Sequence, residues 1–71
     1  EFVDNTVITT KVKAAIFNES SLKVSEINVE TFKGSVQLSG FVDTKANIDK
    51  EGEIALRVKG VKSVKNNILL K

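Results

Sequence analysis

The segment 34–41, GSVQLSGF, constrains the fold of this chain more than any other stretch. It opens on a glycine and then alternates apolar and polar side chains, which is the period of a half-buried β-strand. Folded back through a two-residue loop, it sets Val36 and Leu38 against the apolar side chains of the segment 27–32. The opposite pairs predicted on this face are Thr31 with Val36, Val29 with Leu38, and Ile27 with Gly40. A slip of one residue would turn this apolar set to water, so the hairpin register is strongly specified.

An amphipathic helix is predicted before the hairpin, over residues 4–17, with Asp4 as its N-cap. Its apolar residues recur at the spacing of a buried stripe, and they are Ile8, Val12, Ala15 and Ile16. Asn18 is the expected end of this helix, because asparagine tolerates the left-handed conformation in which many helices stop.

A second helix is predicted after the hairpin, capped by Asp43 or Thr44 and running to about Val58. The residues expected on its core-facing sector are Ile54, Ala55 and Val58, together with the polar Asn47 and Glu51. Gly52 falls on the opposite, exposed side in this register, where it costs about 1 kcal/mol relative to alanine.

Gly60 is predicted to end the second helix in a Schellman motif, in which Leu56 contacts Val61. The last strand follows over residues 61–70, and the side chains expected to face inward are Val64, Ile68 and Leu70. The element order is therefore helix, strand, strand, helix, strand, which is an α+β arrangement. A right-handed connection through the second helix makes the second and third strands parallel. Both helices are expected on one face of this three-stranded mixed sheet, which leaves the other face open.

The composition argues against several functional classes. The chain has 71 residues, the length of one domain, and it contains neither histidine nor cysteine. It therefore lacks the commonest general base, the commonest metal ligands and a Ser-His triad, so no catalysis, metal or cofactor is expected. The formal net charge of +2 permits weak attraction to anionic surfaces. No apolar run reaches the roughly 18 residues of a membrane-spanning helix.

The last part of the chain is purely basic, and its charged residues are Arg57, Lys59, Lys62, Lys65 and Lys71. A nucleic-acid surface is one interpretation of such a series. However, no aromatic stacking platform accompanies these residues, and they alternate around a helix end and a strand. Ordinary solvated charge is the preferred interpretation, and no nucleic acid is expected as a partner.

Four segments carry a resemblance to a known family, and they are 8–15, 27–31, 34–42 and 58–64. With these segments in this order and spacing, the chain resembles a BON domain, a module named for bacterial osmotically induced and nodulation proteins. The resemblance runs over nearly all the chain, from Asp4 to Lys71. The chain departs from the family pattern within the second helix, at Ile48, Glu51, Gly52 and Leu56.

The resemblance implies two helices on a mixed sheet, in a bacterial protein that is periplasmic or associated with the envelope. It implies a non-catalytic role in binding phospholipid or attaching to membranes, commonly in osmotic-stress or envelope-integrity proteins. Such proteins often hold two or more of these domains, so residues 1–71 are interpreted as a single BON-like domain of a longer protein. The alternative is a protein-interaction or scaffold module, whose partner would be a second BON domain or another envelope protein.

The outer surface of the first helix is the candidate membrane contact, since a helix face with apolar side chains and nearby lysines suits anionic lipid. The residues predicted to contact lipid are Lys11, Lys13, Phe17 and Lys59. The alternative is structural, with Val7 and Ala14 touching the second helix while Phe17 packs on Leu22.

The open sheet face is the candidate surface for a protein partner, because large apolar groups are expected among its polar residues. The partner-face candidates are Phe32, Phe41 and Leu69. The alternative is that these are isolated surface apolar groups, since they lie toward the ends of the strands. Three glycines are predicted to be structural, and they are Gly34, Gly40 and Gly60.

Overall fold

The computed structural model describes residues 4–19 and 26–71 of the chain. Its elements follow the predicted order, and they are α1 (Asn5–Phe17), β1 (Glu26–Phe32), β2 (Ser35–Val42), α2 (Lys45–Leu56) and β3 (Ser63–Leu70). The strands form one mixed sheet in the order β1-β2-β3, with β2 antiparallel to β1 and parallel to β3. The α+β fold predicted from the sequence is therefore confirmed.

The hairpin register is the one that the alternating pattern predicts. On its inner face, the pairs are Ile27 with Gly40, Val29 with Leu38, and Thr31 with Val36. The connecting residues Lys33 and Gly34 have φ angles of 51° and 82°. Positive φ at both central residues is the conformation of the two-residue turns that match the twist of a hairpin.

Both helices pack on the same face of the sheet. The hydroxyls of Thr9 on α1 and Thr31 on β1 lie 2.8 Å apart, and Asn66 on β3 donates from Nδ2 to the Ile48 carbonyl of α2 at 2.8 Å. The apolar side chains buried between the two layers are Ile8, Val12, Ile16, Val29, Val36, Leu38, Val42, Ala55 and Ile68. The other face of the sheet presents the alternate residues of each strand, as predicted.

The first helix begins as predicted but ends differently. The Asp4 carboxylate caps it by accepting from the Thr6 N–H at 2.7 Å. Asn18, expected in the left-handed conformation, has φ −75° and ψ −13°, so this expectation is wrong. The chain instead leaves the helix through a tightened turn, in which the Glu19 N–H donates to the Ile16 carbonyl at 3.1 Å.

The second helix is capped by Thr44, whose hydroxyl accepts from the Asn47 N–H at 3.1 Å, and it ends at Leu56 rather than near Val58. Its last turn tightens, because the Val58 N–H donates to Ala55, three residues back. The Val61 N–H then bonds to Val58 instead of Leu56, so the predicted Schellman motif is absent.

Two side-chain placements differ from the sequence expectation. Gly52 does not lie on the solvent side of α2, because a Cβ added to it would stand 2.8 Å from Nδ2 of Asn66. Leu70, expected to face inward, is 51% exposed, because it ends β3 at the edge of the sheet beyond the cover of α2. The polar Glu51, placed on the core sector, is fully buried.

Candidate functional site

The predicted membrane-contact face of α1 is exposed in the fold. Phe17 keeps 71% of its surface in solvent and Val7 keeps 43%. Lys11, Lys13 and Ala14 on the same helix are also exposed. Val7 and Ala14, which the structural alternative has touching the second helix, are both exposed. The alternative for Phe17 involved Leu22, which lies outside the described residues.

Three segments of the chain meet around Gly34, at what we call the turn end of the molecule. The Gly34 N–H donates to Oδ1 of Asn5 at 3.2 Å, and its carbonyl accepts from the Lys62 N–H at 2.8 Å. The Gly60 carbonyl oxygen lies 3.5 Å from the place that a Cβ on Gly34 would take. The start of α1, the hairpin turn and the α2–β3 loop therefore come together here.

This geometry separates Lys59 from the other residues predicted to contact lipid. Lys59 adjoins Gly60 and so lies at the turn end, where α1 begins at Asn5. Phe17 ends α1, and at 1.5 Å per residue it lies about 18 Å farther along the helix axis. Phe17 and Lys59 therefore lie at the two ends of α1 and do not form one cluster.

The predicted partner face also divides into two parts. Phe41 and Leu69 are neighbours in the parallel register of β2 and β3, and they are 45% and 58% exposed. Phe32 is 70% exposed and lies at the opposite end of β1, opposite Ser35 beside the turn. The side chains between these two ends are polar, and they are Asn28, Glu30, Gln37, Ser39, Lys65 and Asn67.

Basic residues lie in the segments that meet at the turn end, and Lys33 is the one placed over the Phe32 ring. The Lys33 ammonium lies 5.4 Å from the centre of the Phe32 ring, within the range of a cation–π contact. The stem of Lys62 packs against Gly34, with Cγ 3.0 Å from the position of an added Cβ. Lys59 and Arg57 belong to the same loop, although Arg57 lies 3.9 Å from Glu53 in an exposed pair. Sequence reasoning assigned Phe32 to a protein partner and missed Lys33 and Lys62.

A signal for this grouping is present in the sequence. A hairpin turn of this type strongly favours asparagine, aspartate or glycine at its first central position, and here that position is Lys33 with φ 51°. A lysine in this conformation carries a backbone cost that its neighbours must offset. Such outliers are a reason to examine a segment for function.

The three glycines assigned structural roles all have positive φ, at 82° for Gly34, 136° for Gly40 and 99° for Gly60. Within residues 4–19 and 26–71, no cluster of acidic residues has the arrangement of a metal site. Neither helix in the described part of the chain has the length and apolar character needed to cross a bilayer. A shallow depression on the sheet beside Phe32 is lined in part by Gln37 and Lys65.

Comparison with known proteins gives a family and one curated relative. The family model described as the BON domain matches residues 4–71. The chain is 39% identical over 67 residues to the osmotically-inducible protein Y of Escherichia coli (strain K12). That match covers 94% of this chain and 33% of the relative, so the chain spans about a third of the relative's length.

Proposed function

The chain belongs to the BON domain family, and from that premise we propose that it is a non-catalytic module that binds anionic phospholipid at a membrane surface. The observation that carries this proposal is the exposure of Phe17, 71% in solvent on a helix whose neighbouring Lys11 and Lys13 are also exposed. An apolar side chain can enter the headgroup boundary while nearby lysines attract anionic lipid.

The strength of such an interaction is limited by the number of charges. Each lysine close to an anionic bilayer contributes about 1 kcal/mol, and this attraction weakens as salt screens it. One isolated domain is therefore expected to bind weakly. We propose that residues 1–71 form one BON domain of a longer protein, in which further copies would strengthen binding through a high effective concentration.

The cellular setting that we propose follows from the relative. That protein is named for its induction by osmotic stress, and it shares 39% identity with this chain. We propose that this chain likewise belongs to a bacterial envelope or periplasmic protein that acts during osmotic stress. Flotation with vesicles of phosphatidylglycerol and phosphatidylethanolamine tests the lipid-binding step directly.

Flotation is expected at low salt and is expected to be lost at high salt. The Phe17→Ser variant should float several-fold less than the parent chain, because it removes the apolar contact and leaves the charges. The matched control is Phe41→Ser, which removes an exposed phenylalanine from the other layer and should float like the parent. Absence of flotation at low salt would refute the lipid-binding proposal.

A second candidate function is docking of a protein partner on the open sheet face. The adjacent exposed side chains of Phe41 and Leu69 favour it, since two large apolar groups in contact are more than isolated surface residues. A second BON domain of the same protein is the proposed partner. In this case Leu69→Lys should abolish association between the two domains without changing flotation.

A further inference from the structure

We propose that the turn end is a second contact site for anionic phospholipid, formed by Phe32 with Lys33, Lys59 and Lys62. This inference rests on the proposed function, because it concerns the same ligand. It differs in the surface used, which lies where α1 begins rather than at Phe17, where α1 ends.

The aromatic group is the protruding part of this end. Phe32 ends β1 with 70% of its surface exposed, as much as Phe17. The ammonium of Lys33 lies 5.4 Å from the ring centre, so an apolar body and a cation stand side by side. A pair of this kind suits a bilayer boundary, with the ring below the phosphates and the lysine directed back to them.

The charges come from two separate segments, the turn and the α2–β3 loop. Contacts at Gly34 hold these segments together, because its carbonyl accepts from Lys62 and its α-carbon faces the Gly60 carbonyl. Lys33, Lys59 and Lys62 are all exposed. The acidic residues in the adjoining segments are Asp4, whose carboxylate caps α1, Glu30, two residues before Phe32 on β1, and Glu53, which lies 3.9 Å from Arg57. Lys33 and Lys62 bring two ammonium groups to the turn itself, which complements an anionic surface.

The backbone conformation at Lys33 indicates that this position is occupied by lysine for the function of its side chain rather than for the stability of the turn. Its φ of 51° is a conformation that asparagine or glycine adopts more readily. A chain selected only for a stable hairpin would therefore favour one of those residues. Lys33→Asn separates the two roles, since it should raise the midpoint of thermal unfolding by about 4 °C while weakening lipid binding.

The positions of Phe17 and Phe32 allow only one of these two surfaces to contact a bilayer at a time. Phe17 lies on the helical layer where α1 ends, and Phe32 lies on the open face of the sheet near the start of α1, about 18 Å away along the helix axis. One flat bilayer cannot touch both at once. The domain would contact the bilayer through its turn end in one orientation and through α1 in the other.

Single-tryptophan reporters test this inference, because the chain has no tryptophan and no tyrosine. Phe32→Trp and Phe17→Trp each replace an exposed ring, and Phe41→Trp marks a third surface. Each variant is mixed with vesicles of phosphatidylglycerol and phosphatidylethanolamine, with vesicles of phosphatidylcholine alone, and with inorganic phosphate. We expect the Phe32→Trp emission to shift to the blue with anionic vesicles only.

The lysines are then removed in the reporter backgrounds. Lys33→Asn with Lys62→Gln should reduce the vesicle affinity reported by Phe32→Trp roughly 25-fold, at about fivefold per lysine. The same pair should leave the affinity reported by Phe17→Trp nearly unchanged. The charge-matched control removes Lys45 and Lys71 from the opposite end of the molecule, and it should leave the Phe32→Trp affinity nearly unchanged.

The outcomes are distinguishable. A blue shift for Phe17→Trp without one for Phe32→Trp overturns the turn-end site and leaves the proposed function standing. An equal loss of Phe32→Trp vesicle affinity when Lys45 and Lys71 are removed overturns the turn-end site as well. It would show that binding depends on net charge rather than on a local site. If no reporter shifts and the parent chain does not float, both proposals fail.

Discussion

Gly52 and Asn66 are predicted to be energetically coupled, because the absence of a side chain on α2 makes room for the Asn66 amide. Nδ2 of Asn66 donates to the Ile48 carbonyl at 2.8 Å, and its Oδ1 accepts from the Ile68 N–H at 3.2 Å. A Cβ at Gly52 would stand 2.8 Å from that same Nδ2. Gly52→Ala must therefore displace the amide and break one or both of these hydrogen bonds.

The expected change in the free energy of unfolding on Gly52→Ala is the sum of two opposing contributions. Alanine in place of glycine inside a helix stabilises it by about 1 kcal/mol. Each hydrogen bond lost costs about 1 kcal/mol net, so displacing Asn66 costs roughly 1–2 kcal/mol. In the parent chain, Gly52→Ala should thus be neutral or destabilising by up to about 1 kcal/mol. In an Asn66→Ala background, where nothing is displaced, the same change should stabilise by about 1 kcal/mol.

The assay is a double-mutant cycle in urea, followed by far-ultraviolet circular dichroism, with a coupling free energy of about 1–2 kcal/mol expected. Ala14→Gly, at an exposed position of α1, calibrates the helix-propensity term and should cost about 1 kcal/mol in either Asn66 background. If Gly52→Ala stabilises the chain equally with and without Asn66, the steric account of this glycine is wrong.

Three further predictions concern stability and use the same urea assay. Leu38→Ala should destabilise the chain by about 3 kcal/mol, because it removes a fully buried apolar side chain, whereas exposed Leu56→Ala should stay within about 0.5 kcal/mol; equal effects would contradict the burial of Leu38. Asp4→Ala and Thr44→Ala should each cost about 1 kcal/mol through loss of an N-cap, with rescue expected from serine but not from valine. Arg57→Ala should change stability by less than about 0.5 kcal/mol, since its partner lies 3.9 Å away and both side chains are largely exposed; a larger loss would indicate a role beyond that pair.

The sheet was predictable from the sequence because its signal has a period of two. A shift of one residue reverses every side chain, so Val36 and Leu38 admit a single register. The stripe of α1 was predictable for a similar reason, since Ile8, Val12 and Ile16 are all buried. In both cases the apolar residues themselves mark the centre of the buried face.

The buried sector of α2 was predicted at Glu51 and Ala55, as observed, but the edge of that sector was not predictable in the same way. The centre of its buried sector is occupied by Glu51 and Ala55, and a carboxylate gives no apolar signal. The predicted sector included Glu51 and Ala55 but not the neighbouring Gly52, which was assigned to solvent and instead faces Asn66 on β3. The end of α2 was misplaced because a tightened last turn replaces the regular one, which also removes the expected cover from Leu56, now 56% exposed.

The grouping of functional candidates depends on topology more than on composition. The helix α1 runs antiparallel to β1, so its first residue meets the hairpin turn and its last residue, Phe17, lies at the other end. Because β3 is parallel to β2, the loop that carries Lys59 must return to the turn before β3 begins. The loop that carries Lys59 and Lys62 therefore meets the hairpin turn at Gly34, while Lys11 and Lys13 remain on the helix that ends at Phe17. A domain with such separated surfaces gains most from repetition, since two copies in one chain can each contact the bilayer in whichever orientation the linker allows.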